Sequence, residues 1–497
     1  MTEQQSVTQT GSAEEVVTRV PKQLRIGGEW RDAEGGKTFD VLDPSNGRVL
    51  CAVADASPAD GVAALDAAVA AQAEFAATSP RERADMLTAA FDLLHQRKDD
   101  LARLMTLEMG KPLAESAGEI GYAAEFFRHF ASEAVRIDGG YQTAPAGGAR
   151  FLIARQPVGP SLLITPWNFP MAMGTRKIGP ALAAGCTNVI KPAAQTPLSM
   201  LALVDILREA GVPDGVVNLV TTTDSGGVME PLIRSGKARK LSFTGSTKVG
   251  KVLLEQSAEK VLRTSMELGG NAPFIVFDDA DLEEAVEGAI AAKMRNMGEA
   301  CTAANRMYVH ADVIDAFAQK LSAKMSAMRV GPGVEDGVQV GPLIDQAAQD
   351  KVSGLVADAV EKGATVISGG QTPDGEGYFY PPTVLTGVSG EAKMASEEIF
   401  GPVAPLTPFT DEDEVVKAAN NTPFGLVSYV YTNDLRRSLR MAEALETGMV
   451  GLNQGVVSNP AAPFGGVKES GLGREGGSVG IDEFLETKYV GIALPKK

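Results

Sequence analysis

Residues 161–191 read SLLITPWNFPMAMGTRKIGPALAAGCTNVIK, and this stretch decides the fold class of the chain. Residues 162–165 and 188–191 are short apolar runs typical of buried strands, and residues 176–184 form a predicted helix between them. Strands that alternate with helices build a parallel sheet with helices on both faces. The sequence therefore predicts a doubly wound α/β fold, whose ligands bind beyond the carboxyl ends of the strands.

The alternation of strands and helices continues in two series. The first adds strands at residues 216–220, 240–243 and 263–267 and helices at residues 199–210 and 248–258. The second has strands at residues 274–277, 305–309, 366–368 and 403–408 and helices at residues 282–296, 313–328, 346–362, 411–420 and 434–444. We expect a final core strand at residues 448–453, a terminal strand or arm at residues 483–493, and an extended arm or hairpin at residues 137–153.

Composition limits the classes of protein to which this chain can belong. Its 497 residues are too many for one ordinary domain, and its net charge of −17 disfavours nucleic acid and anionic membranes as partners. Cys51, Cys186 and Cys301 lack the spacing of a disulfide framework, which favours a reducing cytoplasm. The three histidines lie in unrelated contexts, so we expect no metal. No apolar stretch has the length of a membrane span, and residues 1–22 read as a flexible polar tail without a targeting pattern.

Cys301 and Glu267 make a plausible pair for acyl transfer. An attacking thiol needs an open path, and Cys301 has small neighbours, namely Gly298, Ala300, Thr302, Ala303 and Ala304. Glu267 ends an apolar run and precedes two glycines, as a carboxylate base beside a close approach would. The competing interpretation is that an isolated cysteine is simply a small buried apolar residue.

Two glycine-rich matches are set aside, and one strand-to-helix junction is kept. Residues 245–251 nearly match a P-loop, but Val252 stands where a magnesium-binding hydroxyl is needed. Residues 471–476 match a dinucleotide fingerprint, yet they lie too near the C-terminus for a βαβ unit, so we expect a loop there. At Gly245 and Ser246 a predicted strand meets a helix, whose N-terminal N–H groups suit a pyrophosphate, although an ordinary capped helix would look the same. Asn168 follows another strand with an amide suited to an oxyanion, and Lys191 ends the next one.

From about residue 24 to the C-terminus the chain resembles the aldehyde dehydrogenase superfamily. The resemblance is carried, in order, by TPWNFP (165–170), KPAAQTP (191–197), SFTGS (242–246), MELGGNAP (266–273), GEACTAANR (298–306), EEIFGP (397–402) and PFGGVKESGLGREGG (463–477). Within the superfamily the chain is most similar to succinate-semialdehyde dehydrogenases. The resemblance implies a dinucleotide-binding domain at residues 23–136 and 156–266, a catalytic domain at residues 267–478, and an oligomerisation arm at residues 137–155 and 479–497.

The resemblance also implies a role for each matching residue. Cys301 is the expected nucleophile, Glu267 the general base, and the Asn168 amide with the Cys301 backbone N–H the oxyanion hole. The expected contacts to the dinucleotide are Trp167, Asn168, Lys191, Ala194, Gly245, Ser246, Leu268, Glu398 and Phe400. The positions that match the binding site of the substrate carboxylate are Arg176, Arg295 and Ser458.

Two departures from the family pattern refine these expectations. Ala194 stands where many NAD-preferring relatives have a glutamate, so we expect NADP⁺ to be preferred and NAD⁺ to be accepted. Ala303 replaces the second cysteine of a redox lock found in some relatives. The expected reaction is oxidation of succinate semialdehyde to succinate through a cysteine thiohemiacetal and thioester, by a cytoplasmic homodimer or homotetramer. The alternatives are glutarate semialdehyde or another ω-carboxylated aldehyde as substrate, or a catalytically silent member of the fold.

Overall fold

The computed structural model describes residues 13–494, in which strands and helices alternate as expected for an α/β protein. The strands are β1 Leu24–Ile26, β2 Glu29–Arg31, β3 Thr38–Asp43, β4 Arg48–Ala54, β5 Gly140–Thr143, β6 Ala149–Pro157, β7 Ser161–Ile164, β8 Asn188–Lys191, β9 Val217–Leu219, β10 Lys240–Thr244, β11 Arg263–Glu267, β12 Ala272–Val276, β13 Ala304–His310, β14 Thr365–Ser368, β15 Thr383–Thr386, β16 Val403–Phe409, β17 Phe424–Gly425, β18 Val427–Tyr431, β19 Met449–Leu452, β20 Val467–Lys468, β21 Gly471–Leu472 and β22 Leu485–Ala493.

The helices lie between these strands and cover their faces. The α-helices are α1 Ala13–Arg19, α2 Pro58–Ala77, α3 Pro80–Gln96, α4 Lys98–Met109, α5 Leu113–Ala134, α6 Ala172–Ala184, α7 Pro197–Glu209, α8 Ser225–Arg234, α9 Thr247–Ala258, α10 Leu282–Met294, α11 Ile314–Ser326, α12 Gln346–Glu361, α13 Lys393–Ser396, α14 Glu412–Asn420 and α15 Leu435–Ala444. Short 3₁₀ segments occur at Glu34–Gly36, Arg295–Gly298 and Ser478–Phe484. Within residues 13–494 no helix combines the length and apolar character needed to cross a membrane.

The first sheet has eight strands in the order β2-β1-β9-β8-β7-β10-β11-β21. Its central strands β9, β8, β7, β10 and β11 are parallel, and every residue of β7, β8 and β10 is buried because helices cover both faces. The chain runs outward from β7 through β8 to β9 and then returns to β10 on the other side. This reversal between β7 and β10 creates a crevice beyond their carboxyl ends, where doubly wound sheets bind ligands.

The second sheet has seven strands in the order β14-β15-β16-β13-β12-β18-β19. All its neighbours are parallel except β14 and β15, which are antiparallel. A strand, β19, is present within residues 448–453 as predicted. The expectation that it is a core strand is wrong, because β19 lies at the edge of the sheet. The neighbouring inner strand is β18, whose five residues are all buried. Its sequence, VSYVY, is rich in β-branched and aromatic residues and could have been recognised.

A third sheet joins the expected hairpin to the C-terminal region, in the order β22-β6-β5. Its longest pairing is antiparallel and runs from Leu485 opposite Pro157 to Ala493 opposite Ala149. The sheet projects into solvent, so that Tyr141 is 68% exposed and Tyr489 59% exposed. Of the two forms expected for residues 137–153, an extended arm or a hairpin, the structure has the hairpin.

The N-terminal region differs from the expectation of a flexible tail. Helix α1 buries Val16 and Val17, each less than a tenth exposed, in the core cluster that also contains Leu101 and Leu104 of α4. The valine side chains offer the apolar contact that a polar tail would lack, so the interpretation of residues 1–22 as a flexible tail is wrong from residue 13 onward. Residues 1–12 lie outside the described part of the chain.

Candidate active site

A cavity of about 250 Å³ lies beyond the carboxyl ends of β7, β10 and β11, where residues from the second sheet close it. It is lined by Tyr122, Pro166, Trp167, Asn168, Phe169, Met173, Arg176, Thr244, Gly245, Ser246, Glu267, Leu268, Gly269, Arg295, Cys301, Thr302, Lys351, Glu398, Phe400, Ser458 and Phe464. The structure therefore brings together the residues singled out in the sequence, with two exceptions. Lys191 and Ala194 do not line this cavity.

Cys301 follows an unusual turn at the end of α10. The sequence predicts a helix over residues 282–296, but α10 ends at Met294 because Asn296 and Met297 adopt left-handed backbone angles, with φ of 54° and 53°. Arg295 consequently lies just past the helix. On the other side, a Cβ added at Gly270 would lie 2.8 Å from the Cys301 carbonyl oxygen. Only glycine lets the segment between β11 and β12 approach the cysteine this closely.

The environment of the Cys301 thiol disfavours its ionised form. Burial raises the pKa of Cys301 to about 12, and the carboxyl group of Glu398 adds to the rise, while Arg176 and Arg295 oppose it. Because the thiolate is the nucleophilic form, the cavity holds Cys301 mostly as the neutral thiol in the absence of other groups.

Glu267 ends β11 and is 3% exposed. Its Oε2 atom has no hydrogen-bond partner among the described residues, and a Cβ added at Gly465 would lie 2.9 Å from its Oε1 atom. Burial raises the pKa of this carboxyl group well above its usual range, and the neighbouring Glu475 raises it further. A buried carboxyl group with a raised pKa and an oxygen that has no partner in the described chain can take up a proton from a water molecule or a thiol.

Asn168 is held firmly at the wall of the cavity. Its side-chain Nδ2 donates to the carbonyl oxygen of Glu299 at 3.0 Å, which leaves one amide N–H without a partner in the described chain. The backbone carbonyl oxygen of Asn168 accepts from Asn296 Nδ2 at 3.0 Å and from Lys111 Nζ at 2.7 Å. The remaining amide N–H is a donor available to an oxygen atom in the cavity.

Glu398 and two aromatic rings form a second group in the wall of the cavity. The ring centroids of Trp167 and Phe400 are 5.5 Å apart in an edge-to-face arrangement. Glu398 Oε1 accepts from the backbone N–H of Gly270 at 3.3 Å, and burial raises the pKa of Glu398 to about 7. A carboxylate so placed can accept hydrogen bonds from sugar hydroxyls.

The strand ends near this group carry polar groups that suit phosphates. Ser246 Oγ accepts from Val249 N at 3.4 Å, so it caps α9 in the ordinary way, as the competing interpretation of this junction allowed. Helix α9 begins directly after β10, so its N-terminus lies at the crevice end of the sheet, where it suits an anion. Lys191 is 5% exposed, and its ammonium group has no ion-pair partner within residues 13–494. Burial lowers the pKa of Lys191 to about 8. Ala194 follows in the half-buried loop before α7.

The two arginines of the cavity are in different situations. Arg176 is 2% exposed and pairs with Glu475, with 2.7 Å between Nε and Oε2, while its guanidinium group stacks on Phe464. Arg295 lies over the Phe169 ring at 4.7 Å and has no ion pair in the described chain. Ser458 lines the same cavity. A carboxylate entering the cavity would therefore meet, at Arg295, a cation that has no ion pair in the described chain.

Sequence reasoning missed several residues of this site. Tyr122, Phe169 and Phe464 supply its apolar walls, and Lys351 reaches it from α12. The segment at residues 471–476, which matches a dinucleotide fingerprint only by its glycines, contains Glu475, the ion-pair partner of Arg176 in the cavity. Its glycines signalled only a loop, and no local pattern links it to α6. Across residues 13–494 no group of three or more metal-ligating side chains is present.

Comparisons with known proteins agree with this geometry. Residues 30–490 match the model of the aldehyde dehydrogenase family. The chain is 56% identical to the succinate-semialdehyde dehydrogenase of Paenarthrobacter nicotinovorans over 90% of this chain and 99% of that protein. It is 51% identical to the glutarate-semialdehyde dehydrogenase of Pseudomonas putida over 95% and 98%. The crystal structure of an NADP-dependent enzyme of Escherichia coli superposes with a TM-score of 0.94 at 52% identity, covering 96% of this chain and 98% of that one.

Proposed function

The chain belongs to the aldehyde dehydrogenase family, and from this premise we propose that it oxidises succinate semialdehyde to succinate, with NADP⁺ preferred over NAD⁺. The observation that carries the proposal is the unpaired guanidinium group of Arg295 in the cavity that contains Cys301. An aldehyde that bears a second, negatively charged carboxylate matches these two groups. The names of the relatives at 56% and 51% identity describe semialdehydes of this kind.

In the proposed reaction Cys301 attacks the aldehyde carbon and forms a thiohemiacetal. The developing negative charge on the oxygen is stabilised by the free Asn168 amide N–H and the Cys301 backbone N–H. A nicotinamide bound beside Cys301 would accept the hydride that this adduct must lose to become a thioester. Glu267 then accepts a proton from water as the water oxygen adds to the thioester carbon. The carbon–sulfur bond breaks, which releases the acid, and the sulfur of Cys301 takes a proton back. Burial raises the pKa of Glu267, which favours uptake of a proton by this carboxylate.

Several features of the described chain fit a dinucleotide. Lys191 and the N–H groups at Gly245 and Ser246 suit its phosphates, and Glu398 suits the ribose hydroxyls beside the nicotinamide. Trp167, Leu268 and Phe400 supply apolar surface. Ala194 offers no carboxylate that would repel a 2′-phosphate, and Lys191 is a buried cation without an ion-pair partner that can attract one. These features support NADP⁺ as the preferred cofactor, in keeping with the NADP-dependent neighbour.

Substrate recognition is proposed to rest on Arg295, with Ser458 as an additional hydroxyl donor and Arg176 as a weaker contributor. Hydrogen bonds from these side chains to the substrate carboxylate would orient the aldehyde toward Cys301, so that binding energy lowers the barrier of the chemical step. Glutarate semialdehyde, one methylene longer, is the second candidate, because a relative at 51% identity carries that name. Retention of Cys301, Glu267, Asn168 and Glu398 in one cavity argues against a catalytically silent member.

A kinetic panel tests the proposal. Values of kcat/KM are measured for succinate semialdehyde, glutarate semialdehyde and butanal, each with NADP⁺ and NAD⁺, by absorbance of the reduced cofactor. We expect succinate semialdehyde with NADP⁺ to give the highest value. Cys301→Ala serves as the inactive control. A higher value for glutarate semialdehyde would select the second candidate, and equal values for butanal would remove the proposed carboxylate recognition.

The domain roles and the assembly are part of the proposal. Residues 23–136 and 156–266 would bind the dinucleotide, residues 267–478 would carry the catalytic groups, and residues 137–155 with 479–497 would mediate a homodimer or homotetramer. The exposed tyrosines on β5 and β22 support the last role, because large apolar surface on a projecting sheet favours a partner. Light scattering of the purified protein tests the proposed assembly.

The cysteine usage supports a reducing, cytoplasmic location.

A further inference from the structure

A buried lysine that does not line the cavity contacts the backbone of the proposed oxyanion hole. Lys111 lies in the short connection between α4 and α5 and is fully buried. Its ammonium group donates to Glu119 Oε2 at 2.5 Å and to the carbonyl oxygen of Asn168 at 2.7 Å, and it lies 4.1 Å from the centroid of the Phe169 ring. The ammonium group therefore has three partners: a carboxylate, a carbonyl oxygen and an aromatic ring. Such partners offset the free-energy cost of burying a charge.

The other oxygen of Glu119 holds the chain just beyond Asn168. Glu119 Oε1 accepts from the backbone N–H of Met171 at 3.0 Å and of Ala172 at 3.1 Å. These N–H groups belong to the first turn of α6, which has no side-chain cap of its own. Glu119, which is 4% exposed, thus replaces a capping residue. One buried ion pair fixes residues 168–172 at both ends.

Helix α5 also holds the turn before Cys301. Glu115 Oε2 accepts from the backbone N–H of Asn296 at 2.6 Å, and Asn296 is one of the residues with left-handed angles. Asn296 Nδ2 in turn donates to the carbonyl oxygens of Asn168 and Glu299. The first turns of α5 and the connection before it therefore contact both sides of the oxyanion hole.

We infer that Lys111 and Glu119 are positioning residues for the oxidation, because together they fix the Asn168 peptide and hold its side-chain amide at the cavity wall beside Cys301. This inference rests on the proposed function, in which that amide stabilises the oxyanion. Neither residue lines the cavity, so neither contacts substrate or cofactor there. Loss of the Lys111 ammonium group would leave the Glu119 carboxylate unpaired and remove one of the two side-chain donors to the Asn168 carbonyl oxygen.

The main test is Lys111→Met, which keeps the length of the side chain and removes the charge. We expect kcat to fall about 10- to 100-fold, because a misplaced oxyanion donor costs rate in the chemical step. KM for succinate semialdehyde and the affinity for NADP⁺ should stay within about twofold of wild type, because neither ligand contacts Lys111. Lys111→Arg should recover most of kcat, since a guanidinium group can also donate to both partners.

Alkylation of Cys301 by iodoacetamide distinguishes a misplaced oxyanion hole from a general disturbance of the structure around Cys301. Displacement of iodide develops no oxyanion, so Lys111→Met should be alkylated at the wild-type rate while its NADPH burst is slowed. Lys240→Met is a matched control, because Lys240 is equally buried and bonds Ser265 and Glu483 away from the cavity. It should lower the melting temperature without slowing the burst.

A double-mutant cycle completes the test. In an Asn168→Ala background, Lys111→Met should have little further effect on kcat, because the donor that it positions is already absent. Wild-type kcat in Lys111→Met, additive losses in the double variant, or an equally slowed alkylation would each overturn the inference. If Lys111→Met does not fold, Glu119→Gln takes its place, because its amide oxygen can still cap α6. A wild-type enzyme inactive on every aldehyde would instead refute the proposed function.

Discussion

Arg176 Nε lies 2.7 Å from Glu475 Oε2, so the more buried of the two cavity arginines is already paired with a carboxylate of the protein. The same glutamate accepts from Lys177 Nζ at 2.6 Å. Burial acts to raise the pKa of Glu475, but Lys177 and Arg176 outweigh it and lower that pKa, which keeps the group ionised. Arg295 has no such partner in the described chain. We therefore expect Arg295 to contribute more than Arg176 to recognition of a substrate carboxylate.

Arg295→Ala should lower kcat/KM for succinate semialdehyde about 10²-fold, since a hydrogen bond to a charged group contributes about 1.5–3 kcal/mol. Butanal has no carboxylate, so its kcat/KM should change little. Steady-state kinetics on both aldehydes measure the difference, with the exposed Arg436→Ala as a control for loss of an arginine. Equal losses on both substrates would mean that Arg295 supports the Cys301 turn and does not bind the carboxylate.

Cys301→Ala should abolish dehydrogenation and leave NADP⁺ affinity largely unchanged, because only the nucleophile is removed. Isothermal titration with NADP⁺ and an absorbance assay at high enzyme concentration measure the two properties. Cys186→Ala is a suitable control, since that thiol is buried away from the cavity and bonds the carbonyl oxygen of Phe484. Turnover of Cys301→Ala within tenfold of wild type would contradict the mechanism.

Glu267→Gln keeps the shape of the side chain but cannot accept a proton, so hydrolysis of the thioester should become slow. We expect a burst of NADPH in the first turnover and a steady-state rate about 10²–10⁴-fold below wild type. Stopped-flow absorbance separates the two phases. Absence of the burst as well would indicate that Glu267 acts earlier, on the thiol of Cys301.

Alkylation of Cys301 in the cofactor-free enzyme should increase with pH and reach no plateau below pH 10. Burial, with Glu398 adding to it, raises the pKa of this thiol to about 12, so the thiolate fraction rises about tenfold per pH unit below that value. Mass spectrometry of Cys301 after timed iodoacetamide treatment gives the rate at each pH. A plateau near pH 8 would show that the thiol ionises far more easily than its surroundings indicate.

Ala194→Glu should shift cofactor preference toward NAD⁺, because the new carboxylate would repel a 2′-phosphate. In the wild-type enzyme the affinity for NADP⁺ should fall as pH rises through about 8, where the pKa of the buried Lys191 lies and its ammonium charge is lost. NAD⁺, which lacks that phosphate, should show the smaller change. Fluorescence titrations at pH 7 and 9 test both statements, and wild-type NAD⁺ binding tenfold tighter than NADP⁺ would refute the role of Ala194.

Much of the fold could be predicted because its strands are short, apolar and bounded by glycine or proline. Residues 188–191 and 263–267 were predicted with the observed bounds of β8 and β11. Cys301 and Glu267 could be recognised because small or glycine neighbours mark close approaches. The Arg176–Glu475 pair could not be predicted, because its partners are far apart in sequence and the loop of Glu475 has no local pattern. Helix α1 was missed because its four polar residues outnumber its two buried valines.

Glu475 lies 298 residues beyond Lys177, and this separation bears on the order in which the site matures during synthesis. Helix α6 leaves the ribosome early with Arg176 and Lys177, while their counter-charge is still untranslated. The strands β21 and β22, which complete the first and third sheets, are also made late. A nascent chain therefore already contains Cys301 before its surroundings are electrically balanced. The charges around Arg176 and Lys177 are therefore balanced only once residue 475 is present, so the site is completed by one of the last segments of the chain to be made.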